Sequence, residues 1–305
     1  MPLDPRAREY LNQNASKPPI ETLPVDKARR FAASTVWVSA PGVPIASVEE
    51  TEIEGVPVRI YIPEAERPLP VLVYFHGGGW VTGNLDLVDS PLRILAKETP
   101  CVVISVDYRL APEHPFPAPL DDCYAVTEWV AANALSLGAD PARLAVGGDS
   151  AGGNLAAAVA LRARRLTAFD IGLQVLIYPV TDNNLDTPSY LAYSEGYGLT
   201  REGMRWFWHH YLPEGNDALA CVLGAPDLSE LPPALVILAE FDVLFDEGKA
   251  YADRLREAGV TTDLMICEGM IHGFFRMTGV LDKANQVLEE TAKHMRRALR
   301  STGCR

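Results

Sequence analysis

"GGDSAGGN", residues 147–154, sets one hydroxyl and one carboxylate among four glycines. It joins an apolar run, "RLAVGG" (143–148), to an alanine-rich run, "NLAAAVALRARR" (154–165). Glycines ahead of a helix serve either a phosphate-binding loop or a turn too tight for Cβ atoms. No lysine follows them as a P-loop requires, and the dinucleotide pattern GxGxxG does not fit, which leaves the turn. "GDSAG" (148–152) matches G-x-S-x-G, in which a strand bends sharply into a helix and presents the serine at the tip. Gly148 and Gly152 remove the clash between the residues that close on each other. A helix starting at Ala151 aims its amides and positive dipole end at Ser150, favouring an oxyanion there. On these five residues alone, a tight turn without chemistry stays open.

Moving outward, "FHGGGW" (75–80) follows an apolar run and precedes the serine. Three consecutive glycines let backbone amides converge on a developing negative charge, with Gly78 and Gly79 as candidate donors beside the amide of Ala151. His76 is expected to fix this loop rather than act as a base. Six histidines are present. His114 is boxed by prolines, His209 and His210 fall on a helix, and His294 lies among Lys293, Arg296 and Arg297. His272, in "EGMIHGFF" (268–275), follows the last apolar run and is the candidate base. The acid of such a set comes between serine and histidine in chain order. Asp242, at the end of "ALVILAEFD" (234–242), is the candidate, holding the imidazole tautomer. Glu240 points differently in its strand, and Asp246 or Glu247 begins the next helix.

The wider chain supplies a matching frame. Apolar runs at 71–75, 101–108, 143–148, 173–179, 234–240 and 263–269 mostly lack period-2 alternation, as strands buried on both faces do. Helical patterns separate them, which predicts a largely parallel sheet covered by helices. Residues 47–63 alternate and predict an antiparallel hairpin at one edge. Two segments break the rhythm, 1–45 and 183–215, and together predict a lid over the sheet's carboxyl edge. In the second, Thr200 is a candidate N-cap, and Met204, Phe207, Trp208 and Tyr211 share one helical stripe, which either docks the cap on the body or lines a substrate pocket. The division predicted is 1–45 and 183–215 as cap, with 46–182 and 216–305 as core.

Composition narrows the classes. The chain has 305 residues, 48% of them hydrophobic and 22% charged, with a net charge of −13. That balance fits a soluble globular protein and argues against nucleic acid as a partner. No run reaches the roughly 18 apolar residues of a membrane span, and "MPLDPRAREYLNQN" has no signal-peptide core. The five cysteines, 101, 123, 221, 267 and 304, are scattered without a CxxC pair, and a cytoplasmic protein with reduced thiols is expected. Neither HExxH nor a Cys/His ligand set is present, so no metal or cofactor is expected.

"HGGGW", "VDYRLAPEHPFPA", "GGDSAGGN", "AEFDVLFDEG" and "GMIHGF", in this order over residues 40–300, closely resemble the hormone-sensitive-lipase-like bacterial esterases of the GDSAG type. The resemblance implies an α/β-hydrolase fold, a mostly parallel central sheet flanked by helices with a helical cap. It implies a carboxylic ester hydrolase working through Ser150, Asp242 and His272, with an oxyanion hole from Gly78, Gly79 and Ala151. A small-molecule ester of short to medium chain is the expected substrate, and a homodimer is compatible with the family. Val243 and Phe245 stand where the family usually has Pro and Arg, and Pro119 where alanine is common. "YRLAPEHPFPAPLDD" is expected to brace the fold through Arg109, Glu113, Asp121 and Asp122. Two alternatives keep the fold and change the function: a ligand-binding receptor, whose relatives lack the histidine retained here, and an amidase or peptidase.

Overall fold

The computed structural model describes residues 2–213 and 215–300. Its strands are β1 (Ser47–Ile53), β2 (Val56–Ile62), β3 (Leu69–Phe75), β4 (Val102–Val106), β5 (Ala139–Asp149), β6 (Leu173–Ile177), β7 (Ala234–Phe241) and β8 (Thr262–Ile271). Its helices are α1 (Pro5–Asn14), α2 (Val25–Ala33), α3 (Asp89–Glu98), α4 (Ala118–Asn133), α5 (Ala151–Leu166), α6 (Pro188–Ala192), α7 (Arg201–Tyr211), α8 (Phe245–Glu257) and α9 (Asp282–Ala298). One sheet runs in the order β1-β2-β4-β3-β5-β6-β7-β8. The hairpin β1–β2 and the β2–β4 pair are antiparallel, and every other neighbouring pair is parallel. The sheet and its edge hairpin match the sequence expectation.

Alternate residues of the inner strands feed two cores. Val71, Val73 and Phe75 join residues of α4, α5, α7 and α8 on one face, while Leu72 and Tyr74 join α3 and α9 on the other. Double burial explains why β3, β4 and β6 read as nearly continuous apolar runs, with Ser105 and Gln174 the buried polar residues in β4 and β6. β8 departs from that expectation. It is an edge strand whose first half is largely uncovered, and Ile266 is exposed. Its pairing with β7 continues to Ile271 opposite Phe241, which sets Asp242 and His272 side by side at the ends of two strands.

The "YRLAPEH" stretch braces the fold as expected. Asp122, nearly buried on α4, accepts from the Arg109 amide and guanidinium, with Nη2 at 2.7 Å. Asp121 meets Arg162 of α5 at 2.5 Å, and Glu113 meets Arg29 of α2. Pro119 enters the first turn of α4, where a missing N–H costs no helix bond. Cys101, Cys123, Cys221 and Cys267 are free and buried; Cys304 lies outside the described residues.

The two segments outside the βα rhythm lie against each other and on the core. Thr200 caps α7, its hydroxyl accepting from the Gly203 amide at 2.9 Å. Met204, Phe207, Trp208 and Tyr211 are all buried on the inner face of that helix. α7 contacts the 3₁₀ turn Ile20–Thr22 of the N-terminal segment, and α1 contacts β8. No described helix is long and apolar enough to cross a membrane.

Candidate active site

The carboxyl ends of β3, β5, β7 and β8 deliver the residues singled out in the sequence. In open parallel sheets this edge is where ligands bind, because the helix N-termini and connecting loops converge there. At the end of β5 the chain turns directly into α5, and Ser150 occupies the turn with φ 58° and ψ −120°. A non-glycine residue in that region stores about 1–3 kcal/mol of strain, sustained by its surroundings. Here they are specific: the Ser150 amide donates to Ile177 O at 2.8 Å, and its carbonyl accepts from Val180 N at 3.2 Å. Gly152 lies so close to β3 that a Cβ on it would sit 1.9 Å from Phe75 O. The glycines of the motif therefore answer to backbone approach.

Ser150, His272 and Asp242 form one hydrogen-bonded line. His272 Nε2 lies 2.9 Å from Ser150 Oγ, and His272 Nδ1 lies 2.7 Å from Asp242 Oδ2. Asp242 is 2% exposed, and its other oxygen accepts from the Leu244 amide at 3.1 Å. The bond to a buried acidic side chain fixes the ring orientation, with Nδ1 toward the acid and Nε2 toward the hydroxyl. Tyr178 packs against the His272 ring with centroids 4.6 Å apart. Val243 and Phe245, the departures beside the acid, leave this geometry intact: Val243 is buried and Phe245 opens α8.

The glycine loop stands opposite. Gly78 and Gly79 have φ of 127° and 59°, and their amides donate to no acceptor among the described residues. Ala151 opens α5, so its amide has no partner within the helix. His76 is fully buried beneath the loop, stacked on Tyr108 at 4.4 Å, with Nδ1 2.8 Å from Gly77 O. Burial pushes its pKa down, so the neutral ring donates Nδ1–H to that carbonyl. It fixes the loop, as expected, and does not approach Ser150.

Three contributors escaped sequence reading. Asp149, the variable residue of G-x-S-x-G, accepts from Tyr74 Oη at 2.9 Å and from the Gly77 amide at 3.0 Å. It thereby ties the serine turn to the glycine loop. A carboxylate among four glycines was the available signal. Asn154 donates to Val180 O and Ala220 O, anchoring the chain after β6. Arg29 donates Nε–H to Val81 O at 2.9 Å and Nη2–H to Ala111 O at 2.9 Å, from a segment with no motif at all.

The α7 stripe divides. Phe207 covers the glycine loop so closely that a Cβ on Gly79 would lie 2.1 Å from its Cδ1. Trp208 and Tyr211 instead hold Trp80: Tyr211 stacks on it at 4.0 Å, and Trp208 tilts against it at 4.7 Å. Two surface grooves of about 440 and 550 Å³ lie elsewhere, one against β8 and α9, the other beside Arg59 and Arg93. Neither is lined by Ser150, Asp242 or His272. No group of three or more His, Cys, Asp or Glu among the described residues is disposed to hold a metal ion.

A strand-end serine, acid and histidine in this chain order on a mostly parallel sheet define a hydrolase of the α/β type. The chain belongs to the α/β-hydrolase family, among its hormone-sensitive-lipase-like esterases: the family model for the alpha/beta hydrolase fold matches residues 72–276. A carboxylesterase of Mycobacterium tuberculosis, NlhH, is 42% identical over 81% of this chain and 80% of its own. An ethyl acetate hydrolase of Pseudomonas putida is 37% identical over 97% of this chain and 100% of its own. Among solved structures, an ester hydrolase from the metagenome of Lake Arreo, complexed with a bipyridine phosphonate derivative, superimposes with a TM-score of 0.92. It is 42% identical and covers 97% of this chain and 98% of its own.

Proposed function

We propose that this protein, a carboxylic ester hydrolase, is a serine carboxylesterase in which Ser150 is the nucleophile, His272 the base and Asp242 the acid. The observation that carries the assignment is the continuous line Asp242–His272–Ser150, with contacts of 2.7 and 2.9 Å. Ser150 Oγ attacks the ester carbonyl carbon while its proton passes to His272 Nε2. Asp242 stabilises the resulting imidazolium through Nδ1–H. The amides of Gly78, Gly79 and Ala151 receive the oxyanion, a contribution of about 2.7–4 kcal/mol per donor in comparable sites. Collapse of the tetrahedral intermediate breaks the bond to the alcohol oxygen, which leaves with the proton from His272. Water then attacks the acyl-enzyme by the same route, releasing the acid and restoring the serine.

Residues 1–45 and 183–215 act as the cap in this reading, and Phe207 bounds the acyl pocket. Its ring meets the glycine loop, whereas Trp208 and Tyr211 meet Trp80 and Met204 is buried within the core cluster. A pocket closed by a ring at that distance favours short to medium acyl chains. Each methylene accommodated adds about 0.8 kcal/mol until the floor is reached. The free edge of β8, with Ile266 43% exposed, is the face assigned to a homodimer. The protein is assigned to the cytoplasm on its buried free thiols.

The test is stoichiometric labelling by an organophosphate together with hydrolysis of p-nitrophenyl esters of increasing chain length. One label per chain, lost in Ser150→Ala, and a rate maximum at about four to eight acyl carbons are expected. A preference for long-chain triglycerides, or labelling that survives Ser150→Ala, overturns the reading.

A further inference from the structure

Glu247 is the third residue of α8 and only 1% exposed. No Lys, Arg or His forms an ion pair with it among the described residues. A carboxyl removed from water without a cation is expensive, so its retention calls for a return in hydrogen bonds. Those bonds leave α8 altogether. Oε1 accepts from the amides of Thr181 at 2.6 Å and Asp182 at 3.3 Å, just beyond β6. The buried Tyr190 of α6 lies beside the same carboxyl. Also on α6, Ser189 donates its hydroxyl to Val243 O at 2.7 Å, and its amide donates to Asp246 Oδ2 at 2.7 Å.

Each end of this junction touches a member of the candidate triad. On one side, Val180 N donates to Ser150 O, and Asn154 holds Val180 O. On the other, Leu244 N donates to Asp242 Oδ1, Phe245 N donates to Asp242 O, and Gly248 N donates to Leu244 O as α8 begins. We propose that Glu247 is a positioning residue: its carboxyl ties the chain after β6 to the helix after Asp242, and so sets the separation between the Ser150 turn and the acid. This rests on the triad assignment above. The bond needs an acceptor of the right length and no charge. Burial raises the carboxyl well above its ordinary range, against the two backbone amides that lower it.

Two conservative variants separate length from charge. Glu247→Gln keeps the arm and an acceptor oxygen. Glu247→Asp keeps the acid and shortens the arm by one bond, about 1.5 Å. A displacement of about 1 Å in a reacting constellation costs on the order of 100-fold. Rates are referred to sites titrated with an organophosphate, so unfolded protein does not count. Glu247→Asp is expected to lower kcat by about 10- to 100-fold with KM within about twofold, while Glu247→Gln stays within about threefold of wild type. In an Asp242→Asn background the penalty of Glu247→Asp should vanish, because it acts through the acid. A Glu247→Asp protein with wild-type kcat per titrated site overturns the proposal. So does a Gln variant as impaired as the Asp variant, or a full penalty persisting in Asp242→Asn. A wild-type protein that does not titrate with the organophosphate would instead sink the triad assignment.

Discussion

The carboxyl edge of the sheet and the α7 face above it are both closely packed, but different forces hold them. At the edge, Ser150, His272 and Asp242 are joined by hydrogen bonds of 2.9 and 2.7 Å, and Asp149 is joined to Gly77 by one of 3.0 Å. On α7, Phe207, Trp208 and Tyr211 are held by ring contacts, with centroid separations of 4.0 and 4.7 Å around Trp80. Hydrogen bonds weaken steeply with angle and distance, so the edge tolerates no change of atom type. Dispersion depends on filled volume, so the α7 face tolerates changes of shape that conserve volume. The edge should therefore fail in rate while remaining folded, and the stripe should fail in stability or in range of substrate.

The largest test of that difference removes an atom of the proposed triad. Ser150→Ala or His272→Ala should lower kcat by about 10⁴-fold or more, with a melting temperature within a few degrees of wild type. The double variant should be little worse than either single one, because the group acts as a unit. Asp242→Asn, which keeps the volume and loses the tautomer, belongs in the same range. More than about a tenth of the activity in Ser150→Ala, measured on p-nitrophenyl acetate, would contradict the edge description.

Gly79 is where the two regions meet, and it ranks next. Gly79→Ala introduces a methyl into the Phe207 ring and asks a non-glycine residue to hold φ 59°. Displacing one oxyanion donor is worth about 10²- to 10³-fold in kcat. If ring contact is the cause, Phe207→Ala in the same chain should recover a substantial part of that loss. Loss unchanged in the double variant would assign the effect to the backbone alone.

Within the stripe the prediction is a division of labour. Trp208→Ala and Tyr211→Ala should destabilise by about 3–5 kcal/mol and leave the chain-length profile's shape unchanged. Phe207→Ala should shift the profile toward longer acyl chains at a smaller cost in stability, because the volume vacated lies against the glycine loop. Thermal melts and a p-nitrophenyl ester series on the three proteins decide it. An unshifted Phe207→Ala profile would return that residue to packing with the other two.

The edge was legible in the sequence because its requirements are local. A tight turn demands Gly148 and Gly152, an amide loop demands successive glycines, and each functional side chain follows an apolar run. Asp149 was visible but unassigned, since its partners Tyr74 and Gly77 belong to a different strand and loop. The stripe on α7 was legible as a helix face, yet its division was not. Periodicity says which residues share a face and nothing about whether they meet Trp80 or Gly79. Glu247 and Arg29 were the least legible. Glu247 looked like an acidic residue opening α8, and only its backbone partners at 181 and 182 reveal a buried group. Arg29 reaches across 52 and 82 positions to the carbonyls it caps.

Arg29 gives the smallest effect and a third kind of attachment, an exposed ion pair joining the N-terminal segment to the edge loops. It holds Glu113 at 2.8 and 2.5 Å, and the guanidinium lowers the Glu113 carboxyl to about 2 from an ordinary 4.5. A carboxyl whose folded value is depressed adds stability that is complete above its unfolded value and fades as pH falls through the folded one. The window here runs from about 4.5 down to about 2. Glu113 is 55% exposed at its side chain, so solvent screening keeps the contribution below about 1 kcal/mol. Glu113→Gln should then lower the melting temperature by about 1–3 °C at pH 6, and the gap to wild type should shrink by more than half at about pH 3. Because the other carboxylates titrate alike in both proteins, the shrinking gap isolates this pair. A gap of constant size across that range would mean that Glu113 acts through packing, and that the N-terminal segment is attached like α7 after all.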